Sequence, residues 1–356
     1  SAGAPRPEYS PSTVQHAWLN PSTVFHPDEF AYVGIPYRML LEREWNPHYY
    51  HNPSLNLYTN LSMFWLSGAQ SLPHNREYGD RSIAPFQSYV MARALSALWT
   101  MLAVALIYTT GKLAFGHRAG MTAAGLVAFS PLTVEHAHFA TPNAQTTMLS
   151  TAALLLAVLL FTGKRVSRLP LWTVYGLAGL LVGLTAAARY NAGAVGVVTG
   201  LALLTAWRRD RHWSLLLIGL ATIPLGFVLG VPGLILATDE VIGQIRDILD
   251  WYRVRGGGAG FTAERGLPAL GYHWRYAILI GIGPLATVLT LFGLGTTLRS
   301  ARTHHRPLAF ALLAYLVIYS ALALLGRRLQ ANLLFPLLAP LALPASNAAA
   351  VTWQRW

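Results

Sequence analysis

LWTVYGLAGLLVGLTAAA, residues Leu171–Ala188, is an apolar run without a single charged side chain, preceded by Arg168 and Pro170 and followed at once by Arg189. A helix rises about 1.5 Å per residue, so such a run nearly matches the ~30 Å hydrocarbon thickness of a bilayer. Comparable runs occur at 88–110, 119–132, 145–162, 192–207, 214–237, 274–297, 307–325 and 331–350. The chain of 356 residues is 54% hydrophobic and only 11% charged, too few charges to cover a soluble globule of this size. The sequence therefore predicts an all-α polytopic membrane protein. Cysteine is absent, which excludes disulfides and thiolate metal sites.

The net charge of +12 serves topology rather than nucleic-acid binding. Lys112 and Arg118, then Lys164, Arg165 and Arg168, then Arg208, Arg209 and Arg211, then Arg299, Arg302 and Arg306 fall in alternate connectors, which are expected to face the cytoplasm. Of the fourteen acids only Asp210 lies on that side. Segregation of acids to the outer face needs its own cause, and an external active site supplies one. Residues 1–25 are polar and lack the apolar core of a signal peptide, so either an upstream segment is missing or the chain inserts by internal helices.

One integrated membrane domain is expected, made of an external region, 1–87, and a helix bundle, 88–356. In the first, Ala31, Tyr32, Ile35, Met39 and Leu40 recur at helical spacing within 28–42, and 55–66 reads as a second interfacial helix entered through Asn52-Pro53. A later external loop, 239–273, is glycine-rich at Gly256–Gly260 and is expected to be a mobile lid. In it Asp239 and Glu240 are expected to cap a helix, and His273, Trp274 and Arg275 to anchor at the interface.

The adjacent acids Asp28 and Glu29 follow Pro27, which suits a first helical position, so both are expected in a first turn. Complementing the helix dipole would explain them without any chemistry. Neighbours on a helix point about 100° apart, so only one of the pair can face a substrate. Asp28 is the choice for the reacting group.

Phe25-His26-Pro27-Asp28-Glu29, with Asn46-Pro47, Asn52-Pro53-Ser54-Leu55 and Tyr58, resembles the first external loop of bacterial relatives of the protein O-mannosyltransferases and aminoarabinose transferases, polytopic glycosyltransferases of the GT-C fold. Phe129-Ser130-Pro131-Leu132 with His136 and His138-Phe139-Ala140-Thr141-Pro142-Asn143 is similar to their second loop, and Ala187-Ala188-Arg189-Tyr190-Asn191 to a basic-Tyr-Asn turn at a helix end. The resemblance implies inverting transfer of a sugar from a polyprenyl-phosphate donor to a hydroxyl acceptor, with Asp28 as general base and Glu29 as its structural or acceptor-binding neighbour. Arg189, Arg327 and Arg328 are the candidate phosphate ligands, since guanidinium forks match phosphate oxygens. His26, Glu135, His138, Asn143 and Tyr190 are expected near the substrate, with the loop histidines and Glu135 either bonded to Asp28 or Glu29 or touching the substrate.

Two departures stand against this. Asn143 occupies the place where the family's second loop usually carries an aspartate, so Glu135 would substitute or the site has one carboxylate fewer. The transmembrane helix that family members carry before the acid pair is not found in these residues either, as expected if it is lost by processing or missing from the assigned sequence. The alternative is therefore a non-catalytic GT-C-like subunit in a larger membrane complex. No cofactor is identified; a divalent metal on Glu135, His136, His138 and His26 is possible but not favoured, because His-x-His splits two rings across a helix. A transporter is weaker still, since Arg93, near the start of its helix, is the one charge that approaches a span interior. The expected partners are membrane lipids, the lipid-linked donor and an acceptor protein or glycolipid, with partner subunits under the alternative and no nucleic acid. The expected location is a bacterial inner membrane, with the site facing outward.

Overall fold

A computed structural model describes residues 25–26, 28–72, 84–164, 169–250, 267–276, 281, 283–300, 302–325 and 336–353. Among them there are helices and turns but no strand. The order is α1 (Glu29–Glu42), α2 (Leu55–Leu66), α3 (Phe86–Phe115), α4 (His117–Ala128), α5 (Pro131–Ala137), α6 (Pro142–Thr162) and α7 (Leu171–Ala188). A 3-10 segment at Tyr190–Val195 leads into α8 (Gly196–Asp210), followed by α9 (Trp213–Gly230), one turn at Gly233–Leu236, α10 (Thr238–Asp250), α11 (Leu267–Tyr276), α12 (Pro284–Arg299), α13 (His305–Leu325) and α14 (Leu338–Trp353).

Among the described residues five stretches are long and apolar enough to cross a bilayer: α3, α6, α7, the continuous Tyr190–Asp210, and α9. With them the chain is an integral membrane protein. The expected span 119–132 is corrected. Helix α4 stops at Ala128, and Ser130 caps a separate α5 that carries Pro131 in its first turn. A proline there lacks the N–H that a continuing helix would use, so the start signal overrides the apolar run. The 12 residues of α4 reach only about 18 Å. The expected loop 239–273 is corrected too: α10 and α11 occupy its ends, Trp274 packs half-buried against the main core, and Gly256–Gly260 lie outside the described residues.

Helices α7 and α9 touch at their backbones. Gly176, Gly179 and Gly183 line one face of α7, and a Cβ on Gly179 would overlap the Gly219 carbonyl. The Thr222 hydroxyl closes the seam by donating to the Gly176 carbonyl at 2.8 Å. Small residues permit this approach where lipid removes the hydrophobic incentive for helices to associate.

Helices α1 and α2 are built into the bundle. Val33 and Tyr37 of α1, Phe64 of α2, Tyr89 and Ala92 of α3, and Ala140 before α6 form one buried cluster. Between α1 and α2 the chain forms a strap. Tyr50 is fully buried there, its hydroxyl donating to Asn46 Oδ1 at 2.8 Å while Gly233 leaves the space its ring end fills. The strap is tied to α10: Gln244 Oε1 accepts the Tyr50 amide at 2.6 Å, and Asn46 Nδ2 donates to Glu240 Oε2 at 3.0 Å. Glu240 is thus more than a first-turn acid, since it joins α10 to the strap.

His48 completes the tie, with Nε2 2.7 Å from Glu44 and Nδ1 3.1 Å from Glu240. A neutral imidazole has one N–H, so facing a carboxylate from each nitrogen suits the imidazolium. The hydrogen bond to Glu44, reinforced by Glu240, raises the His48 pKa above its ordinary value despite some desolvation. A raised folded pKa gives stabilisation that is present below the unfolded value and lost as pH rises through the folded one. Hydrogen exchange of peptides over 44–51 and 238–246, corrected for intrinsic rates, should therefore show about two- to fivefold weaker protection above that pKa, as suits exposed pairs worth ~1 kcal/mol or less. His48→Gln should remove the pH dependence; an unchanged profile in that variant would disprove the tie.

Candidate active site

Asp28 is the N-cap of α1, which begins at Glu29, so Asp28 stands just before the first turn in which it was expected. Its carboxylate makes no capping hydrogen bond, and its side chain is 51% exposed. The dipole explanation therefore loses its usual contact. Instead the Asp28 amide donates to His26 Nδ1 at 3.1 Å, and the same nitrogen lies 4.0 Å from Asp28 Oδ2.

Glu29 has the opposite fate, because the helical offset turns it inward, where it is 0% exposed. Arg93 grips it with a fork, Nε to Oε1 at 2.9 Å and Nη2 to Oε2 at 2.7 Å. The Ala140 amide adds a bond to Oε1 at 2.7 Å, and the Phe25 and His26 amides reach Oε2 at 2.8 and 3.3 Å. Burial alone would raise the Glu29 pKa, but these donors, Arg93 foremost, hold it below its ordinary value. With both oxygens committed to these donors, Glu29 has the contacts of the structural neighbour, one of the two roles expected for it.

The second loop builds a polar cluster beside this pair. His26 packs 6.0 Å from the His136 ring and 5.1 Å from Phe139, centroid to centroid. Asn143, buried in the first turn of α6, places its Nδ2 3.0 Å from His136 Nδ1 and 3.2 Å from the Thr141 hydroxyl. Its Oδ1 accepts from Arg189 Nη1. Burial pushes the His136 pKa down to about 3, helped by the charges of His26 and Arg189, so the imidazole is neutral and accepts from the amide. Arg189 itself caps α7 in extended backbone, just before the 3-10 segment turns the chain back into α8.

The other expected residues find these partners. Glu135 is exposed on α5 and makes no hydrogen bond or ion pair through its carboxylate among the described residues. His138 is exposed and turns back to the Val134 carbonyl, its Nδ1 2.7 Å away. Neither bonds Asp28 or Glu29; the Ala140 amide bonds Glu29. Tyr190 donates its hydroxyl to the Tyr50 carbonyl at 2.9 Å, supporting the strap. Among the described residues no group of three His, Asp or Glu side chains has the arrangement of a metal site. Arg327 and Arg328 lie outside the described residues. Sequence reading missed Arg93 as the partner of Glu29, although its isolation at the start of an apolar helix was the available signal.

Residues 83–235 match the family described as dolichyl-phosphate-mannose-protein mannosyltransferase. No curated protein matches the chain by sequence. Among solved structures, ArnT from Cupriavidus metallidurans bound to undecaprenyl phosphate superposes with a TM-score of 0.66 at 17% identity, covering 97% of this chain and 60% of that one. Its apo form gives 0.61 at 16% identity over the same shares. The oligosaccharyltransferase AglB from Archaeoglobus fulgidus, in complex with an inhibitory peptide and a dolichol-phosphate, gives 0.59 at 14%, covering 95% of this chain and 48% of that one. The chain thus spans about 60% of the ArnT length, and at these identities the likeness is one of fold. Together the match over 83–235 and the shared fold make the chain similar to GT-C-type membrane proteins of the protein O-mannosyltransferase and aminoarabinose transferase kind.

Proposed function

We propose that the chain transfers a sugar from a polyprenyl-phosphate-linked donor to a hydroxyl acceptor at the outer membrane face, with inversion and with Asp28 as general base. The observation that carries this reading is the Asp28 carboxylate, exposed and unspent on its own helix, beside a loop cluster that contains the Arg189 guanidinium. The solved complex of ArnT with undecaprenyl phosphate supports the donor class, and AglB with its peptide supports an acceptor on a macromolecule. In one displacement the acceptor oxygen bonds to the anomeric carbon, its proton passes to Asp28, and the bond from that carbon to the phosphate oxygen breaks. The leaving phosphate already carries charge, so it needs a cation rather than an acid, and Arg189 is the cation assigned to it.

Reconstituted protein, given undecaprenyl-phosphate-linked sugars that include mannose and aminoarabinose, should release undecaprenyl phosphate only when an acceptor is present. Arg189→Gln should weaken undecaprenyl phosphate binding by about 10- to 100-fold, the worth of one charge-assisted hydrogen bond. Unchanged affinity would remove Arg189 from the site. The rival, a non-catalytic subunit, is favoured by Asn143: its amide is spent on Arg189, His136 and Thr141, so this position offers no second carboxylate. Lipid binding without release from any donor would select it.

A further inference from the structure

We infer that Arg93 is a positioning residue for the Asp28 base, acting through Glu29 and Phe25, an assignment that rests on the function proposed above. In the sequence Arg93 is an anomaly, a cation within the first turns of the 30-residue α3, whose side chain is only 11% exposed. Membrane helices tolerate such a charge where it serves a site. Here its guanidinium does two things at once. Its edge holds both Glu29 oxygens, and its carbon lies 3.8 Å from the centroid of the Phe25 ring.

The consequence follows from what Glu29 holds in turn. Oε2 takes the amides of Phe25 and His26, the two residues that lead the chain toward Asp28. Oε1 takes the amide of Ala140, in the turn between His136 of α5 and Asn143 of α6. One arginine therefore fixes the carboxylate that sets the segment bearing the base against the segment bearing the Asn143–Arg189 contact. A base and a leaving-group ligand on separate loops act together only if their spacing is held, and a displacement of about 1 Å costs on the order of 10²-fold in rate. Lysine keeps the charge at this position but has neither the planar fork nor the flat face.

The test uses the full chain in nanodiscs, an undecaprenyl-phosphate-linked sugar that the wild type turns over, and undecaprenyl phosphate itself as the binding probe. Arg93→Lys should lower single-turnover release by about 10- to 100-fold while the Kd for undecaprenyl phosphate stays within about threefold. In an Asp28→Asn background the same change should cost little more, because a misplaced base and a missing one are not independent losses. Phe25→Leu, which leaves the fork intact, should give the same pattern at a smaller loss and serves if Arg93→Lys does not fold. Three results overturn the assignment: an unchanged rate in Arg93→Lys, a loss that adds in full to that of Asp28→Asn, or a Kd that rises in step with the rate loss, which would make Arg93 a donor ligand. Release undiminished in Asp28→Asn alone would instead overturn the base, and this inference with it.

Discussion

Asp28→Asn should lower transfer by about 10²–10⁴-fold, the usual worth of a general base, without a comparable change in undecaprenyl phosphate affinity. The substitution preserves shape and one acceptor oxygen but cannot take up a proton at neutral pH. Folding should hardly register it, because the Asp28 side chain is half exposed and makes no cap, while its backbone carbonyl, which the variant keeps, accepts from Ala31 and Tyr32. The thermal midpoint is accordingly expected to stay within about 2 °C, surface changes being worth ~0.5 kcal/mol or less. Measuring both quantities separates a lost base from a lost fold. Full transfer by the variant would mean that Asp28 is not the base.

The elements that the sequence disclosed are those with local causes. Helix α2 begins at Leu55 after Asn52-Pro53 and ends at Leu66, the limits that apolar spacing predicted. The opposite orientation of two adjacent acids also follows from helical geometry, although only the surroundings decide which one is buried. The partners that make the decision come from far away in the chain. Arg93 is 64 residues beyond Glu29, Ala140 is 111 beyond it, and the strap meets Glu240 across 192 residues. No local pattern records such pairings. Asn143 is the instructive case between these extremes. Its departure from the family's aspartate was visible by resemblance, whereas its fixed orientation between Arg189, His136 and Thr141 needed the fold. The false span at 119–132 shows the reverse error, an apolar run outvoting the Ser130-Pro131 start signal that the structure obeys.

Glu29→Gln should be the most destabilising single change at the site, by about 3–5 kcal/mol, seen as a fall of roughly 5–10 °C in the thermal midpoint. The Glu29 oxygens receive donors from Arg93, Ala140, Phe25 and His26. A glutamine keeps one acceptor and turns an NH₂ group toward the remaining N–H donors, so the variant loses both an acceptor and the charge that matches Arg93. The pH dependence has a determined sign. Because the folded pKa of Glu29 is depressed, its contribution is present above the unfolded value and lost as pH falls through the folded one. Acid should therefore destabilise the wild type more steeply than the variant, which has no carboxyl to protonate. Removing both charges with Glu29→Leu and Arg93→Leu should recover only part of the loss. Apolar replacement of a buried pair can be nearly neutral, but the amide of Ala140, in its buried bond, would still lack an acceptor. If the double variant were as stable as the wild type, the Arg93 charge alone would account for the effect, and the backbone amides on Glu29 would count for nothing.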